Sequence, residues 1–425
     1  MESAKTCTIE NIPYKAPTAR HWIDRFAEAT LHKLLSRISV GRISLHDGDH
    51  SYDYGDPLAT TELHAVIHVH HQSVYRRVLL NGSVGSGESY MEGGWSSPDL
   101  VRVIRVMVAN MELLQSMDRQ KSPLKRLLSA LYHRATANSL RGSKENISAH
   151  YDLSNELFSL FLDRNMIYSS AIFAAPDMDL ESAAEYKLRH ICQRLNLSEK
   201  DHLLEIGTGW GGLAIYAAKH FGCQVTTTTI SEEQYQYAFD WVEREQLQDR
   251  ITLLLKDYRE LEGQYDKLVS VEMIEAVGHD YYEDFFSRCS QLLKPEGSLL
   301  IQAITIADQR YDQAIRSVDF IQKYIFPGGS LPSVSVIADQ LCRHTDMQLI
   351  GLEDITLDYA ETLRCWRERF FSRINEVRSA GFDERFVRMW DFYLCYCEGG
   401  FRERAISTAQ LLVAKPGCRS LPQVR

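Results

Sequence analysis

The 425-residue chain lacks several features that would assign a protein to a class at once. It has no Cys-x-x-Cys pair, and an odd count of nine scattered cysteines favours reduced thiols in a cytoplasm. It has no run near the roughly 20 apolar residues that span a bilayer, and no apolar secretion segment at its start. It also has no tandem repeat or low-complexity tract. With 44% apolar and 24% charged residues, the composition predicts a globular cytoplasmic protein of two or three domains, not inserted in a membrane.

Acidic residues are missing from one part of the chain, although the net charge is −10. Residues 1–150 carry 18 basic and 15 acidic side chains, against 29 and 42 in the remainder. The segment from Arg119 to Lys144 has seven basic residues and no acid, and leucines recur there at helical spacing. Such a helix either docks on an anionic bilayer or packs its leucines on a neighbouring domain as a linker. The sequence leaves both interpretations open.

Residues 65–114 read as a separate module. Strand-like Val, Ile and Tyr residues occupy 65–71 and 73–80, and an apolar stripe predicts a helix over 100–114. The glycines that predict turns between them are Gly82, Gly85, Gly87, Gly93 and Gly94. His68 and His70 share one face of the first strand, but no acid or cysteine completes a metal set. We therefore expect packed or solvated histidines and no metal site.

A glycine turn organises the second half of the chain. An apolar run ends at Glu205, passes Gly207 and Gly209, and continues with helical apolar spacing from Leu213. This pattern is typical of a buried parallel strand that enters a helix across a turn of bare backbone. The glycines would let a ligand approach the main chain, and Glu205 is placed like an acid that steadies a bound amino acid or ribose. A purely structural turn is the alternative.

Short apolar strands alternate with helices from residue 201 onward. Further strands are predicted over 224–229, 251–255, 267–271 and 298–304, with helices over 232–245 and 281–292. The alternation predicts an α/β fold whose parallel sheet has helices on both faces and its ligand at the strand C-termini. The candidate chemical residues near those termini are Glu205, Asp257, Glu275 and Gln302.

A series of motifs in one order resembles the cyclopropane-fatty-acyl-phospholipid synthase family. The motifs are His150-Tyr151-Asp152, Tyr168-Ser169-Ser170-Ala171, Glu205-Ile206-Gly207-Thr208-Gly209-Trp210-Gly211, Glu272-Met273-Ile274-Glu275-Ala276-Val277-Gly278, Lys323-Tyr324-Ile325-Phe326-Pro327-Gly328-Gly329, and Tyr359 ahead of Leu363-Arg364-Cys365-Trp366. The resemblance runs from residue 65 to 417. It implies a Rossmann-like class I methyltransferase domain with a mostly parallel seven-stranded sheet. It also implies a lipid-binding-like α+β domain over 1–118, the basic linker helix over 119–145, and the catalytic domain over 146–425.

The resemblance implies that S-adenosylmethionine is the cofactor. It assigns Tyr168, Ser169, Gly207 and Gly209, together with Glu205, to the methionine and ribose. It assigns Thr229, Ile230 and Gln234 to the ribose and adenine. Asp257 and Tyr258 would flank the adenine, and Val271 would pack beneath it. The second strand ends without the acid that many nucleotide folds use for the ribose. Gln234 would take that part.

The implied reaction adds a methylene group to the double bond of an unsaturated phospholipid acyl chain at the bilayer surface. Methyl addition leaves a carbocation, and loss of a proton closes the ring. The pocket must therefore be apolar, must stabilise positive charge, and must hold a proton acceptor. In the family that acceptor is thought to be bicarbonate. The resemblance assigns its pocket to Glu275, Tyr359, Ser170, Gln302, the amide of Ile304, and Tyr151.

Two of these positions depart from the family pattern. Ser170 stands where a cysteine is common, and Gln302 where a histidine is common; both can donate to an anion, but Gln302 cannot relay a proton. Two alternatives therefore stand beside cyclopropanation: methyl transfer without ring closure, giving methyl-branched or olefinic chains, and non-catalytic lipid binding. We expect peripheral association with the inner face of the membrane and no nucleic-acid partner, and we leave a homodimer open.

Overall fold

The computed structural model describes residues 22–113 and 154–419. These residues form two compact units that do not follow chain order. The first unit comprises 22–113, 319–325 and 363–405, and the second comprises 154–318, 326–362 and 406–419. The predicted domain boundaries stay a prediction. The basic segment from Arg119 to Lys144, like Tyr151, lies outside the described residues.

Eleven strands occur in the described residues. They are β1 Arg42–Asp47, β2 His50–Gly55, β3 His64–Val69, β4 Trp95–Ser96, β5 His202–Ile206, β6 Gln224–Thr229, β7 Ile251–Leu255, β8 Tyr265–Val271, β9 Leu293–Ile306, β10 Gln348–Asp354 and β11 Ile406–Ala414. The first four form one sheet, in the order β2-β1-β3-β4. The other seven form a second sheet, in the order β10-β11-β9-β8-β5-β6-β7.

The same residues contain fourteen α-helices. They are α1 Trp22–Leu35, α2 Ser73–Met91, α3 Leu100–Ala109, α4 Asn155–Ser159, α5 Leu180–Arg194, α6 Gly212–Phe221, α7 Glu232–Arg244, α8 Tyr282–Leu292, α9 Asp308–Ala314, α10 Phe320–Tyr324, α11 Val334–His344, α12 Thr356–Ser372, α13 Ile374–Ser379 and α14 Glu384–Arg402. Side-chain caps fix several starts: Ser231, for example, accepts a hydrogen bond from the amide of Gln234 ahead of α7. None of the described helices is long and apolar enough to cross a membrane.

In the first unit, one strand prediction is correct and one is wrong. The strand predicted over 65–71 is β3, but residues 73–80 belong to α2. Their β-branched and aromatic residues pack as a helical face, because burial outweighs strand propensity. Gly85 and Gly87 lie inside α2 and form no turn, whereas Gly82 interrupts the helix with φ 56°. Gly87 is required for packing, since a Cβ there would lie 2.4 Å from the ring of Phe320.

The second unit has the predicted α/β architecture. The strands β5 to β9 pair in parallel, and β11 runs antiparallel to both β9 and β10. Adjacent leucines point to opposite faces of the sheet: Leu204 packs in one apolar cluster, and Leu203 in the other. Helices cover both clusters, which explains why these strands read as nearly continuous apolar runs. The strand predicted over 298–304 is part of the longer β9, and Gln302 lies inside it.

Candidate active site

The predicted glycine turn lies between β5 and α6. Gly207 and Gly209 have φ of 101° and 53°, conformations that glycine adopts without steric cost. A Cβ on Gly207 would lie 3.3 Å from Met273, so packing also favours glycine there. A Cβ on Gly209 would meet nothing within 4 Å. The open space over Gly209, beside the N-terminus of α6, fits the approach of a cofactor to the backbone.

Glu205 and Lys187 form a buried polar group beside this turn. Glu205 Oε2 accepts a hydrogen bond from Thr227 Oγ1 at 2.6 Å. Burial raises the pKa of Glu205 to about 8, against the opposing effects of Thr227 and Lys187. Lys187 Nζ, on α5, donates to Ser169 Oγ at 2.6 Å. Lys187 was not predicted from the sequence. Its buried side chain interacts electrostatically with both Glu205 and Glu272.

The remaining predicted cofactor residues lie at the C-terminal edge of the sheet or on the loop before α5. Thr229 Oγ1 donates to Gln234 Oε1 at 2.9 Å, and both side chains are buried. Asp257 is also buried, and both its oxygens lie 2.7 Å from the guanidinium of Arg259. The others are buried Tyr258 and half-buried Tyr168, Ile230 and Val271. Their roles toward the cofactor stay predictions.

A cluster centred on Glu272 was not predicted. Glu272 directly follows β8 and has φ of 49°, which is unusual for a residue other than glycine. Its Oε1 accepts hydrogen bonds from the amide of Ser170 at 2.9 Å and from Gln302 Nε2 at 2.8 Å. Tyr359, on α12, also hydrogen-bonds to this carboxylate. Burial raises the pKa of Glu272, whereas Lys187 and these donors lower it.

Glu275 lies three residues farther along the same loop. Its Oε1 accepts a hydrogen bond from the amide of Ile304, in β9. Its Oε2 is buried and has no hydrogen-bond partner among the described residues. Burial first, and then the charge of Glu272, raise the pKa of Glu275 to about 8. The backbone is held in place because the carbonyl of Glu275 accepts from the amide of Ser330 at 2.8 Å.

The structure thus gathers five of the six predicted catalytic residues around two carboxylates. Ser170, Gln302 and Tyr359 surround Glu272, and Ile304 holds Glu275. The sixth, Tyr151, lies outside the described residues. The only signal for Glu272 in the sequence was its place in the motif with Glu275. Which of two nearby acids meets the donors depends on the turn after β8, and that turn has no sequence signature.

The raised pKa values predict that the protein loses stability as the pH rises. Glu205 and Glu275 have pKa values near 8 in the folded protein, above their usual value of 4.5. Between the unfolded pKa of 4.5 and the folded pKa of about 8, the folded state binds protons that the unfolded chain has released. The free energy of unfolding therefore falls as the pH rises through this range. Each carboxyl should lower the free energy of unfolding by about 1.4 kcal/mol per pH unit. Denaturant unfolding at pH 5 to 7.5 checks this, and Glu275→Gln should flatten the slope; an unchanged slope would contradict the assignment.

Several known proteins resemble this chain in sequence and in fold. Residues 138–411 match the family model for mycolic acid cyclopropane synthetase. The tuberculostearic acid methyltransferase UfaA1 of Mycobacterium tuberculosis is 40% identical, covering 80% of this chain and 81% of that protein. The cyclopropane-fatty-acyl-phospholipid synthase of Escherichia coli K12 is 38% identical, covering 83% and 88%. The solved structure of the mycolic acid cyclopropane synthase CmaA1 with SAH and CTAB has a TM-score of 0.60 and 28% identity, covering 64% of this chain and 98% of that one.

Proposed function

This chain belongs to the mycolic acid cyclopropane synthetase family and is an S-adenosylmethionine-dependent methyltransferase, and we propose that it methylates the double bond of an unsaturated phospholipid acyl chain. The cofactor supplies an electrophilic methyl group. The double bond takes up that group, and positive charge develops on the neighbouring chain carbon. The enzyme then removes a proton.

The observation that carries the proposal is the pair of carboxylates, Glu272 and Glu275, at the C-terminal edge of the sheet. Within 22–113 and 154–419, Glu275 Oε2 is buried without a partner, which costs free energy unless a positive charge or a donor meets it during the reaction. A cation that develops on an acyl chain would meet that requirement, because preorganised negative charge stabilises it without reorganisation.

Two products are consistent with this site. A cyclopropane forms when the proton leaves the new methyl group and its electron pair closes the ring, and the relative from E. coli supports this first candidate. A methylated olefin forms when the electron pair becomes a double bond instead. The relative UfaA1 and the departures at Ser170 and Gln302 favour this second candidate.

Mass spectrometry of lipids from cells that express the chain tests the proposal. We expect unsaturated acyl chains to gain the mass of one methylene group, and we expect no gain with Glu275→Gln. Mild hydrogenation then separates the products, since it reduces an olefin and spares a ring. Lipids identical to those of cells with an empty vector would contradict the proposal.

The phospholipid part of the proposal predicts salt-sensitive binding to membranes. The basic segment from Arg119 to Lys144 would place the enzyme on an anionic bilayer. Changing Lys121, Lys125, Arg126 and Arg134 together to Gln should lower the fraction of enzyme that sediments with anionic vesicles. The expected loss of binding free energy is about 1 kcal/mol per charge. Neutral vesicles serve as the control. Unchanged sedimentation with anionic vesicles would contradict membrane docking by this segment and would favour the packed linker instead.

A further inference from the structure

In the part of the chain that the structure describes, the donors that the family resemblance assigns to bicarbonate are already engaged by the protein. The amide of Ser170 and the Nε2 of Gln302 donate to Glu272, and Tyr359 bonds to the same carboxylate. The amide of Ile304 donates to Glu275. The hydroxyl of Ser170 donates to the carbonyl of Ala171 at 2.9 Å. A separate bicarbonate does not fit this arrangement, because it would find its donors in use and would place a further negative charge beside the carboxyl groups of Glu272 and Glu275.

The orientation of Gln302 favours the carboxylate rather than a free anion. Gln302 and Gln410 face each other across β9 and β11, and Gln410 Nε2 donates to Gln302 Oε1 at 3.0 Å. This bond fixes the oxygen of the amide on one side and directs its Nε2 toward Glu272 and the carbonyl of Ser170. Gln302 is thus suited to hold Glu272.

The positive φ of Glu272 indicates that its side chain has a functional role. A residue other than glycine at φ of 49° costs about 1 kcal/mol or more. Glycine would adopt this conformation freely, so the carboxylate is carried at a cost in stability. Glu272 also keeps part of its surface accessible, although the surrounding protein is dense enough to raise its pKa. That combination is expected of a group on the wall of a cavity.

We propose that the carboxylate of Glu272 is the proton acceptor of this enzyme and takes the place of bicarbonate. The proposal rests on the proposed function. After the double bond has formed its bond to the methyl carbon, a C–H bond next to the cation breaks. Its electron pair forms the new ring bond or double bond, and the proton moves to a carboxylate oxygen of Glu272. The neighbouring Lys187 favours the ionised form that starts the step.

Bicarbonate dependence tests the proposal without any mutation. Purified enzyme is assayed on vesicles of unsaturated phospholipid in degassed, bicarbonate-free buffer and again with added bicarbonate. The rate of product formation should be the same in both. A rate that falls severalfold without bicarbonate would overturn the proposal. Absence of product in both buffers would instead contradict the proposed function, so the two failures are distinguishable.

Removal and replacement of the carboxylate provide the second test. Glu272→Gly suits the local backbone and opens a space, so product formation should fall about a hundredfold, while S-adenosylhomocysteine still binds by calorimetry. Added formate or bicarbonate should then restore product formation in a saturable way, which a merely structural role would not produce. Glu262→Gln, at an exposed carboxylate of the same unit, is the matched control. Its product formation should equal that of the parent and should not change when formate or bicarbonate is added. A folded Glu272→Gly enzyme that keeps full activity, or that no small carboxylate rescues, would overturn the proposal.

Discussion

Glu275→Gln should abolish turnover and leave cofactor binding intact. The substitution keeps the bond from the amide of Ile304 but removes the carboxyl group whose ionised form would stabilise the developing cation. Loss of one preorganised group of this kind costs about 3–4 kcal/mol, or about a hundredfold or more in rate. Product formation on unsaturated phospholipid vesicles measures the first effect. Calorimetric titration with S-adenosylhomocysteine measures the second.

The control for this prediction is Glu262→Gln, which removes an exposed carboxylate from the same unit. It should behave like the parent in both measurements. Near-normal turnover by Glu275→Gln would remove Glu275 from the mechanism. Loss of cofactor binding along with turnover would place Glu275 in the adenosine pocket instead.

Gly209→Ala should weaken cofactor binding in addition to straining the fold. The added methyl group enters the open space over the turn, where it would stand between the backbone and the cofactor. Gly48, at the turn between β1 and β2, offers a matched comparison. The two glycines have φ of 53° and 58°, and neither has an atom within 4 Å of an added Cβ.

The two substitutions therefore carry the same backbone strain, about 1 kcal/mol each. Both should lower the unfolding midpoint by a similar amount. Only Gly209→Ala should reduce the affinity for S-adenosylhomocysteine, by about tenfold or more, which corresponds to about 1.4 kcal/mol. Equal affinity in the two variants would show that the cofactor does not approach the chain at Gly209.

The parallel sheet was predictable because its strands are runs of apolar or β-branched residues between helices. The glycine turn after β5 was predictable for the same kind of reason, since the sequence alone identifies bare backbone between a strand and a helix. Residues 73–80 were assigned wrongly because their Val, Tyr and Leu residues suit a strand and a buried helix equally well. Only tertiary packing decides between the two.

The carboxylate cluster was predictable only in part. Glu275, Ser170 and Gln302 could be named from motifs, but their hydrogen bonds could not, because those depend on a left-handed residue at position 272. Lys187 could not be named, because a lone lysine in an amphipathic helix is usually solvated, whereas this one is buried against Ser169. The sequence identified the edge of the sheet that carries the chemistry, and the structure assigned the partners.

Transfer of a deuterated methyl group tests the central claim most directly. Purified enzyme is incubated with unsaturated phospholipid vesicles and S-adenosylmethionine that carries a trideuterated methyl group, and the acyl chains are analysed by mass spectrometry. We predict acyl chains that gain the labelled carbon. They should retain two deuterium atoms when the proton leaves the new methyl group, and three when it leaves the chain. Lipids without deuterium, while the same preparation binds S-adenosylhomocysteine, would contradict methylation of an acyl double bond.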